Sequence, residues 1–139
     1  MSEDPVSLAH RFIDAVWNKG DLEAADDILA ESFTLYNPVA AKPFSRDAFK
    51  KNVTMTRNAF PDFIMHIREL ITTPDRAVIR WSGTATNTGP WAGLPPTGKT
   101  AQATGIFILH IEDEKITEAW AEENHLSLVR QLGLVSHFG

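Results

Sequence analysis

Apolar positions recur at helical spacing through the first sixty residues and at strand spacing through most of the rest. Leu8, Ala9, Phe12, Ile13, Val16 and Trp17 repeat every three or four residues after Asp4-Pro5. That pair combines a capping side chain with Pro in the first turn, and Gly20 ends the run. Asp21 is placed to cap a second, short helix with Leu22, Ala25, Ile28 and Leu29 on its apolar face. Residues 33–36 read as a short strand stopped by Asn37-Pro38. Ser45 is placed to cap a third helix carrying Phe49, Val53, Thr56 and Phe60, closed by Pro61. Beyond it, the pattern predicts strands over 63–72, 76–86, 100–111 and 115–123. Pro74-Asp75 and Glu112-Asp113-Glu114 form the hairpin turns, and a last helix covers 124–132. Three helices followed by a long curled antiparallel sheet make an α+β protein with helices on one face.

The strand over 100–111 is apolar on both faces. Thr104, Ile106, Ile108 and His110 share one side, and Gly105, Phe107, Leu109 and Ile111 the other. A wholly solvated outer face is therefore not expected. On the last strand Ile116, Glu118, Trp120 and Glu122 share a face, which Asn124 continues, while Ala119, Ala121 and Glu123 take the opposite one.

A chain of 139 residues is expected to form one domain, over 1–139. Its net charge of -5 comes from interspersed charges with no Lys/Arg block, which argues against nucleic acid as a partner. The absence of cysteine excludes disulfides and thiolate metal sites. Met1-Ser2-Glu3-Asp4 is acidic and has no apolar core of a signal peptide, and no apolar run is long enough to span a bilayer. The expectation is a soluble cytoplasmic protein with no membrane partner. His10, His66, His110, His125 and His137 lack metal-ligand spacing, so no metal is expected. There is no Gly-x-Ser-x-Gly elbow, phosphate loop or dinucleotide fingerprint, and no cofactor is expected.

The segment from Gly89 to Lys99 holds three Gly and three Pro in eleven residues, a rigid turn-rich connection between two strands. After it come Ile116-Thr117-Glu118-Ala119-Trp120, then Asn124 and Gln131-Leu132-Gly133. That order resembles the SnoaL-like polyketide cyclases of the nuclear transport factor 2-like superfold, from the first helix to Gly133. The resemblance implies a cone-shaped α+β barrel, with helices packed on a strongly curved mixed or antiparallel sheet around an apolar pocket. It also implies a homodimer formed through the outer sheet face.

SnoaL-like cyclases carry a histidine and an aspartate at the separation found here between His110 and Asn124. The resemblance makes the aspartate a base beside a substrate carbonyl and the histidine a holder of substrate oxygens. His110 matches, but Asn124 is an amide and cannot accept a proton at neutral pH. Three readings stay open: Glu122 or Glu118 replaces the base, His110 is the base, or the domain only binds. Asn124 is also a good cap for the last helix. Tyr36-Asn37-Pro38-Val39 lies where ketosteroid isomerases of the same superfold show Asp-Pro-Val, so a second candidate base is also an amide, and Asn-Pro is in any case ordinary turn chemistry. Tyr36 is placed to donate to an enolate oxygen, Trp91 to stand at the cavity mouth, and Trp120 to line the wall.

These residues give a working assignment. His110, Glu122 and Asn124 form the catalytic set, and Tyr36, Asn37, Trp91, Glu118 and Trp120 bind the substrate. The expected chemistry is cofactor-free aldol-type cyclisation or isomerisation of a small apolar carbonyl compound. The alternative is a non-catalytic domain that binds a small ligand.

Overall fold

The computed structural model describes residues 3–134; Met1, Ser2 and His137 lie outside them. Helix α1 (Pro5–Arg11) starts where Asp4 accepts the Ser7 amide at 2.8 Å. It continues into a π-helical segment, Phe12–Trp17, closed by the Asn18 amide on the Ile13 carbonyl at 2.9 Å. Apolar spacing alone did not reveal that wider turn. Asp21 caps α2 (Leu22–Ile28) through the Ala24 amide at 3.0 Å.

Strand β1 (Leu29–Tyr36) leaves α2 with no intervening loop, so Leu29 is strand rather than helix. The two-residue β2 (Phe44–Ser45) was not foreseen. Ser45 then caps α3 (Arg46–Ala59) through the Ala48 amide at 3.2 Å. The rest is β3 (Ile64–Thr73), β4 (Arg76–Thr86), β5 (Thr100–Glu112), β6 (Lys115–Glu123) and α4 (His125–Gln131), close to the ranges read from alternation.

The sheet order is β2-β1-β6-β5-β4-β3. Only β1 and β6 run parallel, so the sheet is mixed, and it stays open at β2 and β3. Register shifts at Ile67/Glu69, His110/Ile111 and Leu29/Thr34 bend the strands, as bulges do.

The inner face of the sheet carries the odd-numbered residues of β4 and β5. Along β5 they run Ala101, Ala103, Gly105, Phe107, Leu109, Ile111, from small to large. At the large end they pack with Ile79, Ile116, Phe12 and Phe49, all fully buried. At the small end Ala85, Ala101, Ala103 and Ala121 leave space that nothing fills. This gradient makes the tapered hollow. Gly105 lies under the indole of its β4 partner Trp81, where a Cβ would stand 2.7 Å from the ring.

Candidate active site

The hollow has a volume of about 580 Å³, within the range of small-molecule sites. Trp17, Phe63, Met65 and Phe107 line it from the core side, and Asn52, Met55 and Thr56 of α3 form one wall. His125, Leu128 and Val129 of α4 face them.

One buried side chain shapes the mouth. Asn87 is 1% exposed and donates to the Gly89 carbonyl at 2.8 Å. Its Oδ1 accepts from the Thr97 amide at 2.9 Å and the Thr97 hydroxyl at 3.0 Å. Asn87 thus holds both ends of the Gly/Pro loop. Between them, paired backbone bonds of 3.0 and 2.9 Å join Trp91 and Leu94, with Ala92 and Gly93 both at positive φ. The turn sets the Trp91 ring 5.5 Å from Phe60 and 5.5 Å from His125. Trp91 thus lines the cavity from the Gly/Pro loop.

Besides Asn52 and Thr56 of α3, the cavity takes polar groups from the ends of β1 and β6 and the start of α4. Asn37 Nδ2 donates to Glu123 Oε1 at 2.9 Å, and Asn37 Oδ1 accepts the Val39 amide at 3.0 Å. The turn chemistry expected of Asn37 and its place at the cavity thus coexist in one side chain. Glu123 Oε2 has no hydrogen-bond partner among the described residues. His125, the first residue of α4, also lines the cavity. Among the described residues, no three His, Asp or Glu side chains converge as a metal would require.

The even-numbered face behaves otherwise. The sequence reading set His110, Glu118, Trp120 and Glu122 on one face, and they do share it, but it is the outer face of the sheet. Ile106, Ile108 and Trp120 are 42%, 39% and 47% exposed there. His110 Nδ1 lies 3.2 Å from Glu118 Oε2, which accepts the Trp120 indole N–H at 2.7 Å. Tyr36 stacks on Trp120 with centroids 4.1 Å apart. Tyr36, His110, Glu118 and Trp120 do not line the cavity. Both faces of β5 are apolar, so polar residues do not mark the pocket side; the small residues Ala101, Ala103 and Ala121 do. The bulge at His110/Ile111 also returns Ile116 to the core, off the face assigned to it.

Glu122 sits across from Ile106 at the rim, bordering both the cavity and a shallow groove on the outer face. Asn124 caps α4 by accepting the Ser127 amide at 3.2 Å, and its own amide donates to the Thr104 carbonyl at 3.0 Å. Thr104 is six residues from His110 on β5, about 20 Å along an extended strand. His110 and Asn124 therefore cannot share one small substrate.

Two cavity residues were missed. The parity of β6 puts Glu123 on the face opposite the working assignment, and His125 enters the sequence analysis only as a histidine without metal-ligand spacing. No helix among the described residues is long and apolar enough to cross a membrane.

The model of the SnoaL-like polyketide cyclase family matches residues 7–132. No curated protein matches the chain. Among solved structures, a candidate polyketide cyclase from Bacillus cereus is 30% identical, with a TM-score of 0.80 over 94% of this chain and 81% of that one. IdmH of Streptomyces antibioticus, described as a candidate polyketide cyclase, is 23% identical with a TM-score of 0.83, over 94% of this chain and 99% of its own. AclR of Streptomyces galilaeus, described as a candidate hydroxylase, is 24% identical with a TM-score of 0.84, over 97% and 84%. With a family model spanning nearly all of its length, the chain belongs to the SnoaL-like polyketide cyclase family.

Proposed function

We propose that the protein carries out cofactor-free acid–base chemistry, of the aldol-cyclisation or related isomerisation type, on a small apolar carbonyl compound. One observation carries this reading: a carboxylate, Glu123, borders a mainly apolar cavity with one oxygen held by Asn37 and the other without a partner among the described residues. Glu123 takes a proton from the carbon beside a carbonyl. The enolate carbon then attacks a second carbonyl carbon; the new carbon–carbon bond forms as that C=O π bond opens to an alkoxide. Glu123 returns its proton to the alkoxide, so nothing is consumed. His125 is the available donor for the enolate oxygen. Glu122 stands in reserve at the rim, and Asn124 acts by fixing the start of α4 and hence His125. Tyr36, His110, Glu118 and Trp120 have no part in this chemistry.

Exchange of the α-protons of 1-tetralone in D₂O, followed by NMR, tests the reading. Catalysed exchange that falls about 100-fold or more in Glu123→Gln is expected, because positioned general bases contribute roughly 10²–10⁴. Tetralone that binds without exchange in the natural protein favours the second reading, a binding domain. That reading is supported by the amide at Asn124, whose oxygen is engaged by the helix it caps.

We also propose a homodimer through the outer face. Ile71, Val78, Ile108, Trp120 and Tyr36 occupy consecutive partner positions on five neighbouring strands, an apolar row straight across the sheet. Rows with both charges flank it, Glu69 with Arg80 on one side and Arg76 with Glu118 on the other. A second copy set against this face about a two-fold axis lays row on row, a self-complementary contact.

A further inference from the structure

The face that α3 turns to the cavity is not apolar throughout. Asn52, Thr56 and the C-cap Phe60 stand four residues apart on one ridge, and all three line the hollow. On the neighbouring ridge Phe49 and Val53 are fully buried in the core. Asn52 and Thr56 are only half-buried and present surface to the hollow instead. Among the described residues, the Asn52 amide and the Thr56 hydroxyl have no hydrogen-bond partner. Other polar side chains of α3 do. Thr54, on the exposed side, returns its hydroxyl to the Lys50 carbonyl at 3.3 Å, and Arg57 donates to the Pro61 carbonyl at 2.8 Å. Asn and Thr are weak helix formers in a helix interior, and here neither packs in the core nor bonds the backbone. Two groups that each donate and accept, spaced one turn apart and fronting an apolar hollow, match a polar group on a ligand.

We propose that Asn52 and Thr56 are substrate-positioning residues that together bind a hydroxyl group on the side of the ligand turned to α3. This rests on the cavity being the ligand site and deepens that reading by naming the substrate class: a largely apolar carbonyl compound that also carries an uncharged hydroxyl. The chemistry of the pair selects that group. No Lys or Arg is among the described residues lining the cavity, so an anionic group finds no counter-charge there. A carbonyl only accepts, and leaves Asn52 Oδ1 idle. A hydroxyl donates to Oδ1 and accepts from the Thr56 hydroxyl, which engages both residues. A methyl in the same place fits the hollow but makes neither bond.

Two probes of nearly equal size test the proposal: 2-naphthol and 2-methylnaphthalene, which differ as hydroxyl against methyl. Their dissociation constants, measured by NMR titration of the full chain, give a ratio from which changes in packing cancel. Asn52→Leu and Thr56→Val, each close in volume to the residue replaced, are expected to shift that ratio about fivefold against naphthol, the effect of one lost hydrogen bond. Thr56→Ser keeps the hydroxyl and is expected to keep the ratio. Because neither side chain bonds within the protein, both apolar variants are expected to hold or raise the urea midpoint. Equal weakening of both probes would overturn the proposal, as would a Thr56→Ser ratio shifted as far as that of Thr56→Val. A lowered midpoint in both apolar variants would assign the side chains to the fold and overturn it too, and so would failure of naphthol to bind. A shifted ratio without tetralone exchange refutes the catalytic reading and leaves this one standing; exchange with an unshifted ratio does the reverse.

Discussion

The Asn37 amide and the Glu123 carboxylate, joined at 2.9 Å, tie the end of β1 to the end of its neighbour β6 at the edge of the cavity. The bond leaves one carboxylate oxygen open and fixes its direction. Asn37→Ala removes the tie and the Asx turn with Val39 together. It is expected to cost about 1 kcal/mol of stability, typical of one exposed hydrogen bond, and to lower tetralone exchange about tenfold at unchanged ketone affinity. Chemical unfolding and exchange kinetics on the same sample check both.

Asn87 holds the mouth loop through side-chain bonds to Gly89 and Thr97. Asn87→Leu has a similar volume but leaves the Thr97 amide and the Gly89 carbonyl without their partner. The expected loss is about 2–3 kcal/mol in urea unfolding, since buried orphaned groups cost roughly 1–3 kcal/mol each. Trp91 is released with the loop, so its ring contacts with Phe60 and His125 are expected to weaken in NMR spectra.

The small residues at the open end are expected to matter for binding more than for folding. Ala103 borders the hollow, so Ala103→Leu fills space without displacing a core side chain. It should weaken aromatic ketone binding at least tenfold with a stability change under about 1.5 kcal/mol. Gly105→Ala is the contrasting case. Its Cβ meets the Trp81 ring at 2.7 Å and is expected to cost about 1–3 kcal/mol, with a change in Trp81 fluorescence.

Much of the fold could be read in the sequence. The caps Asp4, Asp21 and Ser45 and the ends of β4 and β6 lie where composition and alternation set them. The site could not, because alternation says which residues share a face and not which face is inside. Ile106 and Ile108 are as apolar as Phe107 and Leu109, so hydrophobicity gave no vote. The vote lay in size: Ala101, Ala103 and Gly105 before Phe107 describe a taper. β2 is two residues long and carries no periodicity.

Acid should weaken the protein through Asp62 in a predictable window. The Thr86 amide at 2.7 Å, and then its hydroxyl at 2.8 Å, hold the Asp62 carboxyl below the usual carboxylate range. A carboxyl depressed in the folded state stabilises above its unfolded value, about 3.9, and loses that contribution as pH falls through the folded one. Asp62→Asn is therefore expected to be less stable at pH 7 and to show a shallower loss of stability below pH of about 4. Urea midpoints measured from pH 7 to pH 2 check the slope.

The outer row predicts the oligomer. Ile108→Glu places a charge at its centre and is expected to convert a dimer of twice 15.4 kDa into a monomer, read by light scattering. A natural protein that is monomeric at the same concentration would remove the dimer proposal without touching the cavity.

The most direct measurement is the tetralone exchange rate of Glu123→Gln beside that of His110→Ala. The inner-face assignment predicts a loss of about 100-fold or more in the first and a change within about twofold in the second. A large loss in His110→Ala with Glu123→Gln unaffected would contradict it, returning the chemistry to the outer face of the sheet.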